Sequence, residues 1–466
     1  MESDPTSWAE VAVEDIAAPT RYSMSTGPFG SAISSKFFKD EGVPIIRGKN
    51  LSPDICEKIV DERWVYVTKE KASQHERSIV RRGDLVFTCW GTIDQVGLID
   101  GSSPYDEFIL SNKQMKLTVD EDKADSLFIY YLFSGPVIRE RILRNDIGST
   151  IPGFNLGQLK SFRIRIPPLV QQQAIARMLS SLDDKIELNR RMNVTLESMA
   201  RALFKSWFVD FDPVIDNALA AGNPIPEPLI QRAQTRRDLG TKRKPLPKNI
   251  QKLFPDAFAF DAEMGWIPEG WEIETVGSEF NVTMGQSPPG HTYNEDQIGT
   301  PFFQGRRDFG FRFPSRRVYC TAPKRMATKD DTLVSVRAPV GDVNMAAEEC
   351  CVGRGVAAVR HQSGGRSFTY YAMLQLSEYF KVFEAEGTVF GSINQKDFNA
   401  LPQLSCPSQL VMGFGSQAEQ LDEKIELNSA AIEALTKLRD TLLPKLISGE
   451  LRIPDAEKLV AKEAFV

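Results

Sequence analysis

The heptapeptide Asp183-Asp-Lys-Ile-Glu-Leu-Asn189 returns as Asp422-Glu-Lys-Ile-Glu-Leu-Asn428, with six of seven residues identical at an offset of 239. That offset holds without gaps back to Gly148/Gly387 and Asn155/Asn394. It holds forward to Leu196/Leu435 and Leu203/Leu442. Further upstream, Gly42-Val-Pro-Ile-Ile-Arg-Gly48 answers Gly299-Thr-Pro-Phe-Phe-Gln-Gly305 at an offset of 257, and Trp8 answers Trp271 at 263. Offsets that drift toward the N-terminus describe two similar halves whose loops differ in length. A period this long is a duplication of whole domains and not a solenoid repeat.

The repeated heptapeptide lies inside a long helical pattern. Ile175, Leu179, Leu182, Ile186, Asn189, Asn193, Leu196, Ala200 and Leu203 alternate spacings of four and three; Phe414, Ala418, Leu421, Ile425, Asn428, Ile432, Leu435 and Leu442 sit at the matching places in the second half. This is a heptad seam sustained for about four heptads. Pro167-Pro168 and Pro407 stand just ahead of the two helices, where proline leaves the hydrogen-bond ladder intact. A helix of about 35 residues is about 50 Å long and must hide its apolar stripe. The chain supplies a partner of equal length and phase, so the two helices are expected to form an antiparallel coiled coil. Asn189 and Asn428 on the seam are expected to fix its register.

Residues 1–168 and 266–408 mix short β-rich runs, such as 84–88 and 332–336, with Gly- and Pro-marked loops. The expected fold class is therefore α+β: two similar α/β-type domains separated by two long antiparallel helices, with a pseudo-two-fold internal repeat. The corresponding division is 1–168, helix 169–210, linker 211–265, 266–408, helix 409–450 and tail 451–466. The linker is rich in proline, and its stretch 231–252 carries eight Lys/Arg against the single acid Asp238. It reads either as a solvated connector or as a contact for a polyanion.

Length and composition agree with several folded cores. The chain has 466 residues, 42% hydrophobic and 25% charged, with 56 Lys and Arg against 62 Asp and Glu. No apolar run approaches the length of a membrane span, and the start MESDPTSWAE lacks the pattern of a secretory signal, so a cytoplasmic protein is expected. Six scattered cysteines without C-x-x-C and three distant histidines predict neither a disulfide framework nor a metal site. No phosphate-cradling G-x-x-x-x-G-K-[ST] occurs, nor an Asn-Pro-Pro or Asp-Pro-Pro motif of the amino-methyltransferase type, and no catalytic constellation stands out.

The net charge of −6 argues against a polyanionic partner on average, but the charge is unevenly spread. Residues 305–325 hold seven Lys/Arg against Asp308, with Phe309, Phe311, Phe313 and Tyr319 among them. Arginine forks match phosphates and guanine edges, so Arg306, Arg307, Arg312, Arg316 and Arg317 are candidate DNA contacts. The alternating phenylalanines read as the buried face of a strand that presents these arginines outward. Weaker counterparts in the first half are Lys36, Arg47, Lys49, Arg81 and Arg82.

The sequence resembles the specificity subunits of type I restriction–modification systems. The resemblance rests on Ile166-Pro-Pro-Leu169 with Gln171–Gln173, and on Leu182-Asp-Asp-Lys-Ile-Glu-Leu-Asn189. It extends to Ala202-Leu-Phe-Lys-Ser-Trp-Phe-Val-Asp-Phe-Asp-Pro213, Gly265-Trp-Ile-Pro-Glu-Gly-Trp271, Met284-Gly-Gln-Ser-Pro-Pro-Gly290 and Leu442-Leu-Pro-Lys-Leu-Ile-Ser-Gly-Glu-Leu451. In the second half, Cys406-Pro-Ser-Gln409 and Met412-Gly-Phe-Gly415 depart from the family's Pro-Pro and Gln-rich entry. The resemblance implies two target-recognition domains, each reading half of a split double-stranded DNA site, and no catalysis by the chain alone. It implies assembly with two methyltransferase subunits and, where the system cleaves, two restriction subunits. S-adenosylmethionine, ATP and magnesium would belong to those partners, leaving no cofactor in this chain. The competing reading is a coiled-coil scaffold without DNA readout.

Overall fold

The structure is a computed structural model; it describes residues 8–148, 151–242, 245–385 and 391–463. Gly387, two of the eight cations of 231–252 (Arg243 and Lys244) and the end of the tail lie outside the described residues. The chain divides into two compact units, one formed by residues 1–191 with 429–466 and the other by 192–428. Each unit thus contains part of both long helices, Leu169–Phe208 and Ser408–Ser448. No helix among the described residues is long and apolar enough to cross a membrane.

In the first unit, one four-stranded antiparallel sheet has the order Met24–Thr26, Gln114–Thr118, Asp84–Thr88, Val96–Leu98. A second has the order Tyr66–Val67, Val43–Ile46, Glu107–Leu110, Ile79–Arg81, with a parallel pairing of Ile45 to Ile109 and Ile46 to Leu110. The second unit repeats both. Its first sheet runs Phe280–Met284, Val356–His361, Thr332–Ser335, Val343–Met345. Its second has the matching parallel pair, Phe302 to Cys351 and Phe303 to Val352, and gains one edge strand, Tyr293–Asn294. The expected strands over 84–88 and 332–336 are present, the latter ending at Ser335. Strand order and parallel pairing alike are duplicated.

The long helices close each core. In the first unit, Ile175, Leu179 and Leu182 share an apolar cluster with Leu442, Leu443, Leu446 and Ile447, and with Tyr130, Tyr131 and Phe133 from helix Ser126–Ser134. In the second, Phe204, Trp207 and Phe208 pack with Phe414, Phe368 and Trp271; Phe208 and Phe368 are edge-to-face at 5.0 Å. Within this unit Asn193 faces Asn428 while Phe204 faces Phe414, so the helices run antiparallel.

The seam departs from strict heptads in detail. Ile175, Leu179, Leu182, Ile186, Ile425, Asn428 and Leu442 are buried, whereas Asn189, Leu196, Leu203, Leu421, Ile432 and Leu435 are half-buried flanks. Glu197 and Phe204 are buried in place of Leu196 and Leu203. A straight helix drifts about 20° per heptad against a 3.5-residue repeat, which moves the buried line by one residue over this length. The same drift alters the asparagine pairing: Asn428 Nδ2 donates to Asn193 Oδ1 at 2.9 Å, and not to Asn189.

The expected connector over 211–265 is folded onto the second unit. It forms helices Asp212–Ala221 and Ile230–Leu239 and a hairpin of Phe258–Asp261 with Gly265–Pro268. Arg232 donates to Asp212 at 2.8 Å and Arg236 to Asp216 at 3.1 Å, so these two cations are held by carboxylates of their own segment. Ile250 and Phe254 enter the core, with Phe254 edge-on to Trp207 at 5.1 Å. Burial of these side chains outweighs the polar composition that suggested a solvated segment.

Candidate nucleic-acid interface

Five candidate cations lie in the first unit. Lys36 is exposed on the single turn Ser35–Phe37. Arg47 follows the strand Val43–Ile46, and Lys49 sits on the next turn, Gly48–Asn50. Both converge on one atom: Arg47 Nη2 and Lys49 Nζ donate to the Arg63 carbonyl at 3.0 and 2.6 Å. Arg81 and Arg82 instead form ion pairs, Arg81 with Glu107 at 2.8 Å and Arg82 with Asp106 at 2.6 Å.

Aromatic side chains line this surface. Phe29 is 71% exposed, with the Arg77 guanidinium 5.1 Å from its ring. The Lys71 ammonium lies 4.2 Å from the Phe37 ring, and the Arg47 guanidinium 5.8 Å from that of Phe38. Cation–aromatic contacts of this kind hold a charge near the surface without cancelling it.

In the second unit, Arg306 pairs with Asp342 at 2.5 Å, Arg316 pairs with Glu348, and Arg317 with Asp308 at 3.0 Å. Arg307 is exposed and forms no ion pair with a described residue. The expected strand over Phe309–Phe313 is absent; Phe309 and Pro314 bridge a tight loop. In that loop Phe311 is 51% exposed and Arg312 is 1% exposed, the reverse of the expected alternation.

Arg312 is therefore corrected from a DNA contact to a core residue. Its Nη1 donates to Asp422 Oδ1 at 3.1 Å and its Nη2 to Tyr371 Oη at 2.7 Å; Nη2 also pairs with Glu197. The guanidinium stacks 3.9 Å from the Tyr370 ring. Two carboxylates from the two long helices share one arginine from the loop, and Glu197 also pairs with Arg201 at 3.2 Å, which offsets part of the cost of burying them. The surrounding rings and carboxylates hold the guanidinium firmly charged against the opposing effect of burial.

The first unit has a corresponding cluster with the arginine supplied from elsewhere. Asp183, the repeat equivalent of Asp422, accepts from Tyr131 at 2.6 Å and from Arg439 at 3.0 Å. Arg439 belongs to the second long helix, and its repeat equivalent in the first helix is Ala200. The loop that brings Arg312 into the second unit brings Cys56 into the first, 3.1 Å from Asp183. One unit takes arginine from the helix and a small residue from the loop; the other does the opposite.

Sequence reading missed Arg63, because nothing in Asp61-Glu62-Arg63 singles it out. Its φ of 52° is in the left-handed region, which a non-glycine residue occupies only when its surroundings impose it. Here the two cations bound to its carbonyl contribute to that constraint.

Comparison with known proteins agrees with this architecture. Residues 8–198 match the family model of the type I restriction modification DNA specificity domain. The chain is 26% identical over 433 residues to a protein assigned as the MjaX type I restriction enzyme specificity subunit of Methanocaldococcus jannaschii, covering 91% of each chain. It is 26% identical to the type I restriction enzyme HindI specificity subunit of Haemophilus influenzae, over 74% of this chain and 82% of that one. Its fold is like that of the crystal structure of a type I restriction–modification S subunit from M. genitalium, with a TM-score of 0.56 at 16% identity, over 94% of this chain and 96% of that one. The matched domain, the relatives aligned along both halves and the duplicated sheet order agree: the chain is similar over most of its length to the specificity subunits of type I restriction–modification systems.

Proposed function

We propose that the chain is the non-catalytic subunit that recognises a bipartite DNA sequence and directs methyltransferase and restriction subunits to it. The observation that carries this reading is the duplicated sheet architecture, with each copy bearing exposed cations on or beside the loop after its parallel strand. Residues 1–168 and 266–408 would each read one half-site, with helices 169–210 and 409–450 joining them through 211–265, and with 451–466 as the tail. Lys36, Arg47, Lys49, Arg81 and Arg82 would face DNA in the first half; Arg306, Arg307, Arg316 and Arg317 would do so in the second. The scaffold reading gives no role to two domains so equipped.

A repeated layout also suits two copies of each partner, since antiparallel pairing of similar halves makes equivalent docking surfaces. In this reading S-adenosylmethionine, ATP and magnesium act in the partner subunits, within the cytoplasm.

Co-expression with a methyltransferase subunit of the same system, followed by single-molecule sequencing of methylated adenines, tests the reading. The expected result is a two-part motif with an unspecific gap that disappears when this chain is omitted. Methylation that does not depend on the chain would refute it. Changing Arg306, Arg307, Arg316 and Arg317 together to Ala is expected to weaken DNA binding by the complex at least about tenfold, because each phosphate contact contributes to affinity. Unaltered binding by that variant would return the scaffold reading to favour.

A further inference from the structure

We infer that Arg47, Lys49 and Arg63 form a clamp for the DNA backbone, taking one or two phosphodiester groups on the first unit. The inference rests on the DNA-recognition reading and specifies which of its cations bind phosphate.

Most candidate arginines are already satisfied by acids: Arg81 by Glu107, Arg82 by Asp106, Arg306 by Asp342, Arg316 by Glu348 and Arg317 by Asp308. A phosphate approaching any of these must compete with a carboxylate. Arg47, Lys49 and Arg63 differ, since none forms an ion pair with a described residue. Two of them are tied to the backbone carbonyl of the third, so three like charges are gathered with no carboxylate among them.

Gathering cations this way is unfavourable until an anion arrives. The Lys49 ammonium registers this: partial desolvation, then the charges of Arg47 and Arg63, hold it below its ordinary proton affinity. Arg47 adds a second sign, because its Nε is buried without a hydrogen-bond partner while its Nη2 is anchored. Lys49 and Arg63 are exposed, which leaves the cluster open to a ligand as large as a duplex. Exposed Phe29 and Phe37, each paired with a cation, belong to the same unit and suit a neighbouring nucleic-acid surface.

The test is the salt dependence of binding by the full chain to a short duplex of random sequence, read by fluorescence anisotropy. Each phosphate neutralised contributes about 0.9 to the slope of log affinity against log salt. The variant R47A/K49A/R63A is expected to bind with a slope smaller in magnitude by about 1 to 2. R47K/R63K, which keeps the charges, is expected to stay within about half a unit of the parent. Thermal unfolding confirms that both variants are folded.

A parent-like slope in the triple variant would overturn the clamp and leave the DNA-recognition reading standing. Failure of the parent chain to bind the duplex even at low salt would overturn both. Inorganic phosphate, exchanged for chloride at equal ionic strength, separates DNA from a free anion. Strong competition by phosphate together with an unchanged slope in the triple variant would assign the cluster to a small anion and refute the DNA clamp.

Discussion

Replacing Arg312 with alanine is expected to destabilise the second unit by about 3–5 kcal/mol, the usual cost of removing one partner from a buried ion pair. Glu197 and Asp422 are 8% and 5% exposed, and both face the guanidinium. For a unit of this size the loss corresponds to roughly 6–20 °C in its unfolding midpoint. The first unit indicates how the loss can be repaired. There the neutralising arginine comes from the helix position equivalent to Ala200, and the loop contributes only Cys56. The double variant A200R/R312A is therefore expected to recover at least about half of the lost stability, because it restores one cation to the same carboxylate pair. Calorimetry on the full chain measures both effects. A parent-like midpoint for R312A would refute the role given to the buried pair, and a double variant no better than R312A would refute the equivalence of the two positions.

The second large effect concerns the DNA target itself. Deleting seven residues from each long helix, 186–192 and 430–436, shortens each by about 10 Å, or about three base-pair steps. Seven residues are close to two full turns, so the phase of the apolar stripe changes by only about 20°. If the helices act as the ruler between half-sites, the methylated motif of the complex is expected to lose about three unspecified base pairs from its gap, or methylation is expected to cease. Half-site sequences on either side should not change, since the strands and loops that carry the candidate contacts are untouched. An unchanged gap in the sequencing map would refute the ruler.

The helices were legible because apolar residues at spacings of three and four mark a stripe without reference to any other part of the chain. The duplication was legible because Asp183–Asn189 and Asp422–Asn428 are nearly the same string. The candidate interface was legible only as composition. Residues 305–325 are basic, but Arg312 is bound to partners 110 and 115 positions away, and no local pattern announces that. The linker misled for a similar reason: Arg232 and Arg236 look like free charges until Asp212 and Asp216 are brought beside them.

The sequence by itself determined that this protein has two similar halves, two long helices of matching phase and a resemblance to one family. Periodicity and repetition are properties of the chain and survive without coordinates. Only the tertiary structure decided which cations are paired with neighbouring carboxylates and which, like Arg47, Lys49 and Arg63, form no ion pair with a described residue. A charge's availability depends on what the fold places within a few ångströms of it, and the Coulomb interaction falls with distance in space whatever the separation along the chain.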